Sequence, residues 1–209
     1  MRLRQLADEL ILSSKGDQQI VYKNGDTEDI ISVILKADPL NGTFTEQFAP
    51  YLRGLNDYDT CRRLWRFVRT NIRYVKDRAG HEVIKSPGKT WEDGYGDCKS
   101  MSNFIASCLK NLGIPYRYRF TSYERDREIG HVYVLAFIGR RVVVLDAVHH
   151  TFDQEVSFTY VEDYDPQGTQ VYSESIGAMT QNGGKNWGWV GRIFWAWLAY
   201  QVLRHNNRA

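Results

Sequence analysis

The feature that most constrains the fold of this chain is a glycine-flanked turn followed by an apolar helical pattern. Residues 94–98 read Gly-Tyr-Gly-Asp-Cys. After them, apolar side chains recur three and four positions apart, at Met101, Phe104, Ile105, Cys108, Leu109 and Leu112. This spacing predicts a helix with one apolar face, and its first turn carries Cys98. Gly113 and Pro115 lie where a left-handed cap and a residue that cannot continue the helix are expected.

A cysteine at the start of a helix is placed to act as a nucleophile. The helix N-terminus concentrates unpaired N–H groups and a partial positive charge, which favour thiolate over thiol and offer donors to a developing oxyanion. A free cysteine is also one of the residues most often buried as a small hydrophobe. Cys98 alone therefore leaves both core packing and catalysis open.

Two strand-like runs downstream predict a hairpin. Residues 131–138 and 141–145 are rich in β-branched and aromatic side chains, and a Gly-Arg pair separates them. His131 opens the first run and Asp146 follows the second. The register set by this turn brings the two side chains to a diagonal distance that suits an imidazole–carboxylate hydrogen bond. The chain order Cys98, His131, Asp146 therefore fits a thiol triad.

These motifs resemble the core of the transglutaminase-like superfamily, a papain-like cysteine-enzyme fold. They are Gly-Tyr-Gly-Asp-Cys98, the helix end Leu-Gly-Ile-Pro115, Gly-His131 and Val-Leu-Asp146, and they fall within residues 59–148. The resemblance implies Cys98 as nucleophile, His131 as base and then acid, and Asp146 as the residue that orients the histidine. It implies no particular substrate, because the superfamily includes protein crosslinkers, proteases, peptidoglycan-directed peptidases, deamidases and non-enzymes.

The resemblance and the local patterns together predict an α+β fold in which the nucleophile helix packs on an antiparallel sheet. A chain of 209 residues with 43% hydrophobic content suits one main domain with additions. Residues 1–55 are expected to form an N-terminal helical accessory segment and residues 56–160 the catalytic core. Residues 161–186, rich in glycine and polar side chains, are expected to be a loop or linker, and residues 187–209 an aromatic C-terminal helix.

The segments before the nucleophile carry more local predictions. A helix over residues 26–37 is expected to end before Pro39. A short helix is expected at residues 44–52, and a longer one from about residue 57 to residue 74. Residues 76–93, with Ser-Pro-Gly at their middle, have the composition of an irregular loop. The resemblance to the papain-like fold implies that this loop lines the substrate groove.

The residues next to the nucleophile are the candidates for substrate binding. Tyr95, Gly96 and Asp97 directly precede Cys98, and Trp91 lies near the end of the expected loop. Trp91 is either a wall of the groove or a buried anchor, and its sequence context fits both. We assign Trp91, Tyr95, Gly96 and Asp97 to substrate binding.

The sequence contains no recognisable metal or cofactor motif. Cys61, Cys98 and Cys108 form an odd set without Cys-x-x-Cys spacing, and Cys61 and Cys108 are expected in the core. Neighbouring histidines at 149 and 150 point to opposite faces of a strand and do not easily share one ion. No carboxylates show the spacing of a calcium loop. We therefore expect neither metal nor cofactor.

The composition and the two ends of the chain bear on partners and location. Lys plus Arg number 27 against 25 Asp plus Glu, which gives no electrostatic case for nucleic acid. The arginines of the helix near residues 57–74 are expected to form a solvated face, with an acidic partner as the alternative. The N-terminus lacks the apolar core of a secretory signal, and no membrane-spanning segment is visible, so a cytoplasmic location is the default.

The C-terminal tail is strongly aromatic from Trp187 to Leu203. A helix packed on the domain is the first expectation. The alternatives are contact with an oligomer or assembly partner, and contact with a membrane surface, where tryptophan and arginine are common.

The function that the sequence favours is cysteine-dependent acyl transfer. Cys98 attacks a peptide or carboxamide carbonyl, His131 protonates the departing amine, and water or an amine resolves the thioester. We expect a hydrolase, that is a peptidase or amidase, because water needs no dedicated acceptor site; transglutaminase-type crosslinking is the nearest alternative. The alternative from another class is a non-catalytic structural or assembly protein that docks through its aromatic tail.

Overall fold

The fold is built on a five-stranded antiparallel sheet with the strand order β7-β6-β5-β8-β9. The structure is a computed structural model that describes residues 3–14, 19–23, 27–78, 81–124 and 128–175. The strands of this sheet are β5 (Tyr116–Ser122), β6 (His131–Ile138), β7 (Arg141–Leu145), β8 (Tyr160–Tyr164) and β9 (Gln170–Ser175).

Two short strand pairs complete the β-structure of the described residues. β1 (Gln19–Lys23) pairs antiparallel with β3 (His81–Lys85). β2 (Arg73–Tyr74) pairs parallel with β4 (Tyr95–Gly96), which directly precedes the predicted nucleophile. The second pair therefore ties the end of one helix to the turn that carries Cys98.

Helices pack around the central helix α5 (Cys98–Leu112). The others are α1 (Leu3–Leu10), α2 (Thr27–Thr45), α3 (Asp57–Asn71), α4 (Pro87–Asp93) and a 3₁₀ helix (Ala49–Leu52). α5 lies on β6 and also contacts α2, α3 and α4. Every α5 residue except Lys110 and Asn111 is buried. The predicted α+β arrangement, with the nucleophile helix on an antiparallel sheet, is confirmed.

The predicted ends of α5 are also confirmed. The Asp97 side chain caps the N-terminus by accepting a hydrogen bond of 3.1 Å from the Ser100 backbone N–H. Gly113 ends the helix in the left-handed conformation, with φ of 70°. On its buried face the Ser102 hydroxyl donates to the carbonyl of Val132 at 3.0 Å, which joins the helix to β6.

The β6–β7 hairpin has the predicted register. Val134 lies opposite Leu145 and Ile138 opposite Arg141, with Gly139 at the turn in a positive-φ conformation. The ladder stops just before Asp146. As a result, His131 and Asp146 lie side by side at the end of the hairpin nearest to α5.

The prediction that a helix ends before Pro39 is wrong, because α2 continues to Thr45. A proline inside a helix costs about 3 kcal/mol through a lost hydrogen bond and a steric clash. Contacts with α5 and β5 support the helix across this point: the Tyr116 and Tyr118 hydroxyls donate to the Asp38 carboxylate at 2.7 and 2.9 Å. The predicted short helix at residues 44–52 is reduced to the 3₁₀ helix.

The prediction of an irregular loop at residues 76–93 is also wrong, because this segment contains β3 and α4. Ser86 caps α4 by accepting a hydrogen bond from the Lys89 N–H at 3.1 Å, and Pro87 takes the first helical position. The Ser-Pro pair that suggested a loop is therefore a helix start. The strand β3 forms against β1, about sixty positions earlier in the chain, and such a distant partner leaves no local pattern.

The structure also differs from the prediction at two other places. The helix expected to reach residue 74 ends at Asn71, and the next residues form β2. Within residues 161–186, expected to be a loop or linker, β8 and β9 extend the main sheet beside β5. The aromatic tail lies outside the described residues, and the proposed domain boundaries stay predictions. Among the helices that the structure describes, none combines the length and apolar character needed to cross a membrane.

Replacing Asp38 with alanine tests the support of α2. The Asp38 side chain is 1% exposed, and its loss leaves two buried tyrosine hydroxyls without their acceptor. We expect the free energy of unfolding, measured by urea denaturation, to fall by about 3 kcal/mol. Asp8→Ala, an exposed aspartate on α1, is the matched control and should behave like the unmodified protein. Equal stability of the two variants would contradict this role of Asp38.

Candidate functional site

Cys98, His131 and Asp146 come together where α5 begins. His131 Nε2 lies 2.7 Å from Asp146 Oδ2. Cys98 lies close enough to the His131 ring to contribute to its raised pKa. Because Nε2 is engaged by Asp146, Nδ1 is the ring atom left for the sulfur. The structure thus brings the three predicted triad residues together, and their catalytic roles stay predictions.

The Asp146 carboxylate is held in place by its own strand end and by α3. Its Oδ1 accepts a hydrogen bond from the Val148 N–H at 3.0 Å, which leaves Oδ2 for His131. The Trp65 indole N–H donates to the Asp146 carbonyl at 2.7 Å. The Arg69 guanidinium donates to the carbonyls of Ala147 and Val148 at 3.2 and 3.1 Å. The sequence analysis expected the arginines of this helix on a solvated face, and it missed Trp65 and Arg69 as supports of the site.

The electrostatics of the site favour a charged imidazole. Burial lowers the pKa of His131, but the hydrogen bond to Asp146 and the negative charges of Cys98 and Asp146 outweigh burial and raise the pKa to about 10. A protonated His131 facing Cys98 is the arrangement that stabilises a thiolate. Cys98 is only 8% exposed, so little of the residue is open to solvent.

The ammonium of Lys99, the residue after Cys98, lies among three carboxylates. Its Nζ is 2.7 Å from Glu82 Oε2 and 3.2 Å from Asp77 Oδ2, and it also contacts Asp97 Oδ2. Oxygens of these three residues lie within 4.8 Å of one another, the one such grouping of possible metal ligands in the described part of the chain. The lysine ammonium provides the positive charge in this cluster. Both Asp97 oxygens are thus engaged inside the protein, one by Lys99 and one by Ser100.

The other residues predicted to bind substrate occupy different positions. Trp91 is partly buried and packs against the core, where its ring stacks on Phe67 at 5.4 Å between centroids, and its role in substrate binding stays a prediction. Tyr95 is partly exposed and lies under the Lys85 ammonium, 3.6 Å from the ring centroid. Gly96 is buried, and a Cβ there would lie 2.6 Å from the Cβ of Ser100. Gly96 therefore permits the close approach of the turn to α5.

Two tyrosines that sequence reasoning missed lie near the sulfur. Tyr74 and Tyr123 are 44% and 40% exposed. Burial is the largest cause that raises the pKa of each, and the negative charge of Cys98 adds to it. Their hydroxyls therefore stay protonated and able to donate. Tyr74 reaches this place through the parallel pairing of β2 with β4, and such pairing has no local sequence signal.

The arginine-rich face of α3 lines an open cavity of about 610 Å³. Arg62 and Arg63 pair with Asp59 at 2.7 and 3.0 Å, and Trp65 and Phe152 form aromatic walls. An acidic partner for this cavity stays a prediction.

Comparison with known proteins supports the resemblance that the sequence motifs predicted. Residues 46–147 match the model of the transglutaminase-like superfamily. They include all three residues of the candidate triad. No curated protein sequence matches the chain.

Solved structures align with this chain at low sequence identity. A candidate protease from Parabacteroides distasonis aligns with a TM-score of 0.52 and 14% identity over 76% of this chain. The alignment covers 35% of that protein, so this chain spans about a third of its length. LapG from Legionella pneumophila aligns with a TM-score of 0.46 and 14% identity, over 72% of this chain and 91% of LapG. A candidate cysteine protease from Cytophaga hutchinsonii aligns with a TM-score of 0.41 and 13% identity, over 81% of this chain and 66% of that protein.

The raised pKa of His131 predicts a pH dependence of stability. The folded value of about 10 exceeds the unfolded value of about 6.5, so the stabilisation is fully present below the lower value and is lost as pH rises through the higher one. We expect the urea midpoint to fall across this window, and to fall less in His131→Gln. His81→Gln, at an exposed histidine, is the control that should follow the unmodified protein. Parallel curves for all three proteins would contradict the assignment.

Proposed function

We propose that the protein is a cysteine hydrolase, a peptidase or amidase that cleaves peptide or carboxamide bonds through a thioester on Cys98. The observation that carries this proposal is the hydrogen bond between His131 and Asp146, with Cys98 near the imidazole at the start of a buried helix. The peptide or protein substrate is part of the proposal.

The first step forms the carbon–sulfur bond. The Cys98 thiolate, paired with the protonated His131, attacks the substrate carbonyl, and the carbonyl electrons move to its oxygen. The Cys98 backbone N–H lies in the first turn of α5, where N–H groups have no acceptor within the helix, and it is placed to bind this oxyanion. The Tyr74 hydroxyl, kept protonated by its surroundings, is a candidate for the second donor.

The second step breaks the carbon–nitrogen bond. His131 donates its proton to the departing amine, so that the amine leaves neutral and a thioester remains. A water molecule then attacks the thioester while His131 accepts a proton from it, and Cys98 returns to its starting state with release of the acid. Asp146 keeps the ring oriented and stabilises its charged form in both steps.

Partly exposed tyrosines near Cys98 support a peptide-sized substrate. Tyr74, Tyr95 and Tyr123 are between 38% and 44% exposed, and each carries a hydroxyl on an aromatic ring. Such side chains bind extended peptides through apolar contact and hydrogen bonds together. We therefore infer that the substrate chain is bound along these tyrosines, with its reacting carbonyl at Cys98.

Alkylation of Cys98 tests the activated thiol. At about pH 6 a free thiol is almost fully protonated and reacts slowly with iodoacetamide. We expect rapid modification of Cys98 at this pH, read by peptide mass spectrometry, and a rate at least about tenfold lower in His131→Gln. Cys61 and Cys108 are internal controls that should stay unmodified, because burial raises the pKa of each thiol to about 12. An unreactive Cys98 would contradict the proposal and favour the structural or assembly alternative.

Turnover is tested with a mixture of peptides and peptide amides. We expect cleaved or deamidated products in the mass spectrum, and their loss in Cys98→Ala, which removes the nucleophile. Adding methylamine separates the two outcomes for the thioester: products with a carboxylate indicate hydrolysis, and products that carry methylamine indicate amine transfer. Product formation by Cys98→Ala equal to that of the unmodified protein would overturn the mechanism.

A further inference from the structure

We propose that Lys99 is a positioning residue whose buried ammonium offsets the acidic groups beside Cys98 and fixes the start of α5 for the reaction. This inference rests on the proposed role of Cys98 as the nucleophile. It assigns a further residue to that site and explains how a nucleophile works next to three carboxylates.

The contacts of Lys99 reach three separate parts of the chain. Asp77 follows β2, Glu82 lies on β3, and Asp97 caps α5. The Lys99 side chain is 8% exposed and that of Asp97 is 4% exposed, so this pair is shielded from water. A buried ammonium is stable only with charged or hydrogen-bonding partners, and the geometry supplies three. Lys99 therefore joins the acidic segments to the first turn of the helix.

The ammonium also orients the cap of the helix. Lys99 engages Oδ2 of Asp97, and the other oxygen, Oδ1, accepts the Ser100 N–H. The Asp77 carboxylate that meets Lys99 also accepts the Val83 N–H at 2.6 Å. The position of the first turn, and of the sulfur on it, thus depends on the same charge that holds β3 in place.

The second effect of Lys99 is on the charge balance near the Cys98 sulfur. The described titratable groups around Cys98 are His131, Asp146, Asp97, Lys99, Tyr74 and Tyr123. Burial lowers the pKa of Lys99, but the charges of Asp97 and Cys98 and a hydrogen bond to Glu82 outweigh burial and raise it. Because electrostatic interaction is reciprocal, the ammonium favours the Cys98 thiolate to the extent that the thiolate favours the ammonium. Removing it leaves three carboxylates with no compensating lysine.

The experiment measures the rate of Cys98 alkylation against pH in the full chain. Lys99→Met removes the charge and keeps a long apolar side chain. We expect the midpoint of the rate profile to move up by about one pH unit or more, which is about tenfold slower alkylation below the midpoint. Lys110→Met is the matched control: Lys110 lies at the other end of α5 and also contacts a buried aspartate, Asp38, at 3.4 Å. Its alkylation profile should equal that of the unmodified protein.

A second variant changes the charge in the opposite direction and covers the case in which Lys99→Met does not fold. Glu82→Gln removes one carboxylate from a side chain that is 31% exposed and keeps its shape. We expect its midpoint to move down and its alkylation below the midpoint to become faster, which a purely structural role would not produce. Circular dichroism and thermal unfolding check that each variant is folded.

The outcomes separate this inference from the proposed function. An unchanged profile in folded Lys99→Met, or slower alkylation in Glu82→Gln, overturns the role of Lys99 while rapid alkylation of the unmodified protein still supports the nucleophile. An unmodified protein whose Cys98 does not react at about pH 6 overturns the proposed function, and the inference with it.

Discussion

The burial of α5 against β6 is the constraint on which the rest of this structure depends. Almost every residue of the helix is buried, including its polar first turn. Since buried polar groups must find partners inside the protein, the turn at Cys98 is surrounded by hydrogen bonds and ion pairs from β2, β3 and the hairpin end. The packing of the core and the arrangement of side chains around Cys98 therefore both follow from the position of α5.

The same requirement organises the opposite face of the helix. α2 packs there, and the buried Asp38 meets two tyrosine hydroxyls of β5 and the ammonium of Lys110. A lost backbone hydrogen bond at Pro39 is tolerated because these contacts hold the helix at the residue directly before it. Two clusters, one around Asp38 and one around Lys99, thus fix α5 along its length. The first contributes to stability, and the second lies next to the candidate nucleophile.

Local chemistry explains which elements were predictable. α5 carries its cap at Asp97 and its stop at Gly113, and the β6–β7 hairpin carries alternating strand formers around a glycine turn, so both were placed correctly. The elements that were predicted wrongly depend on partners that lie far away in the sequence. β3 needs β1, β8 needs β5, and α2 needs α5 to continue past Pro39, and none of these partners is visible in the local pattern. Ser86-Pro87 shows that even a local signal is ambiguous between a turn and a helix start.

By itself the sequence determined the candidate triad, because Cys98, His131 and Asp146 each sit at the end of an element whose limits are encoded by caps and turns. Only the tertiary structure decided what surrounds them. It packed the partly buried Trp91 on Phe67, engaged Asp97 with Lys99, and placed Tyr74 opposite Gly96 in the turn before Cys98 through the pairing of β2 with β4. The physical reason is the distance along the chain over which each kind of interaction acts. Caps and strand alternation act over a few neighbouring residues, whereas ion pairs and parallel pairing join residues that meet only after the chain has folded.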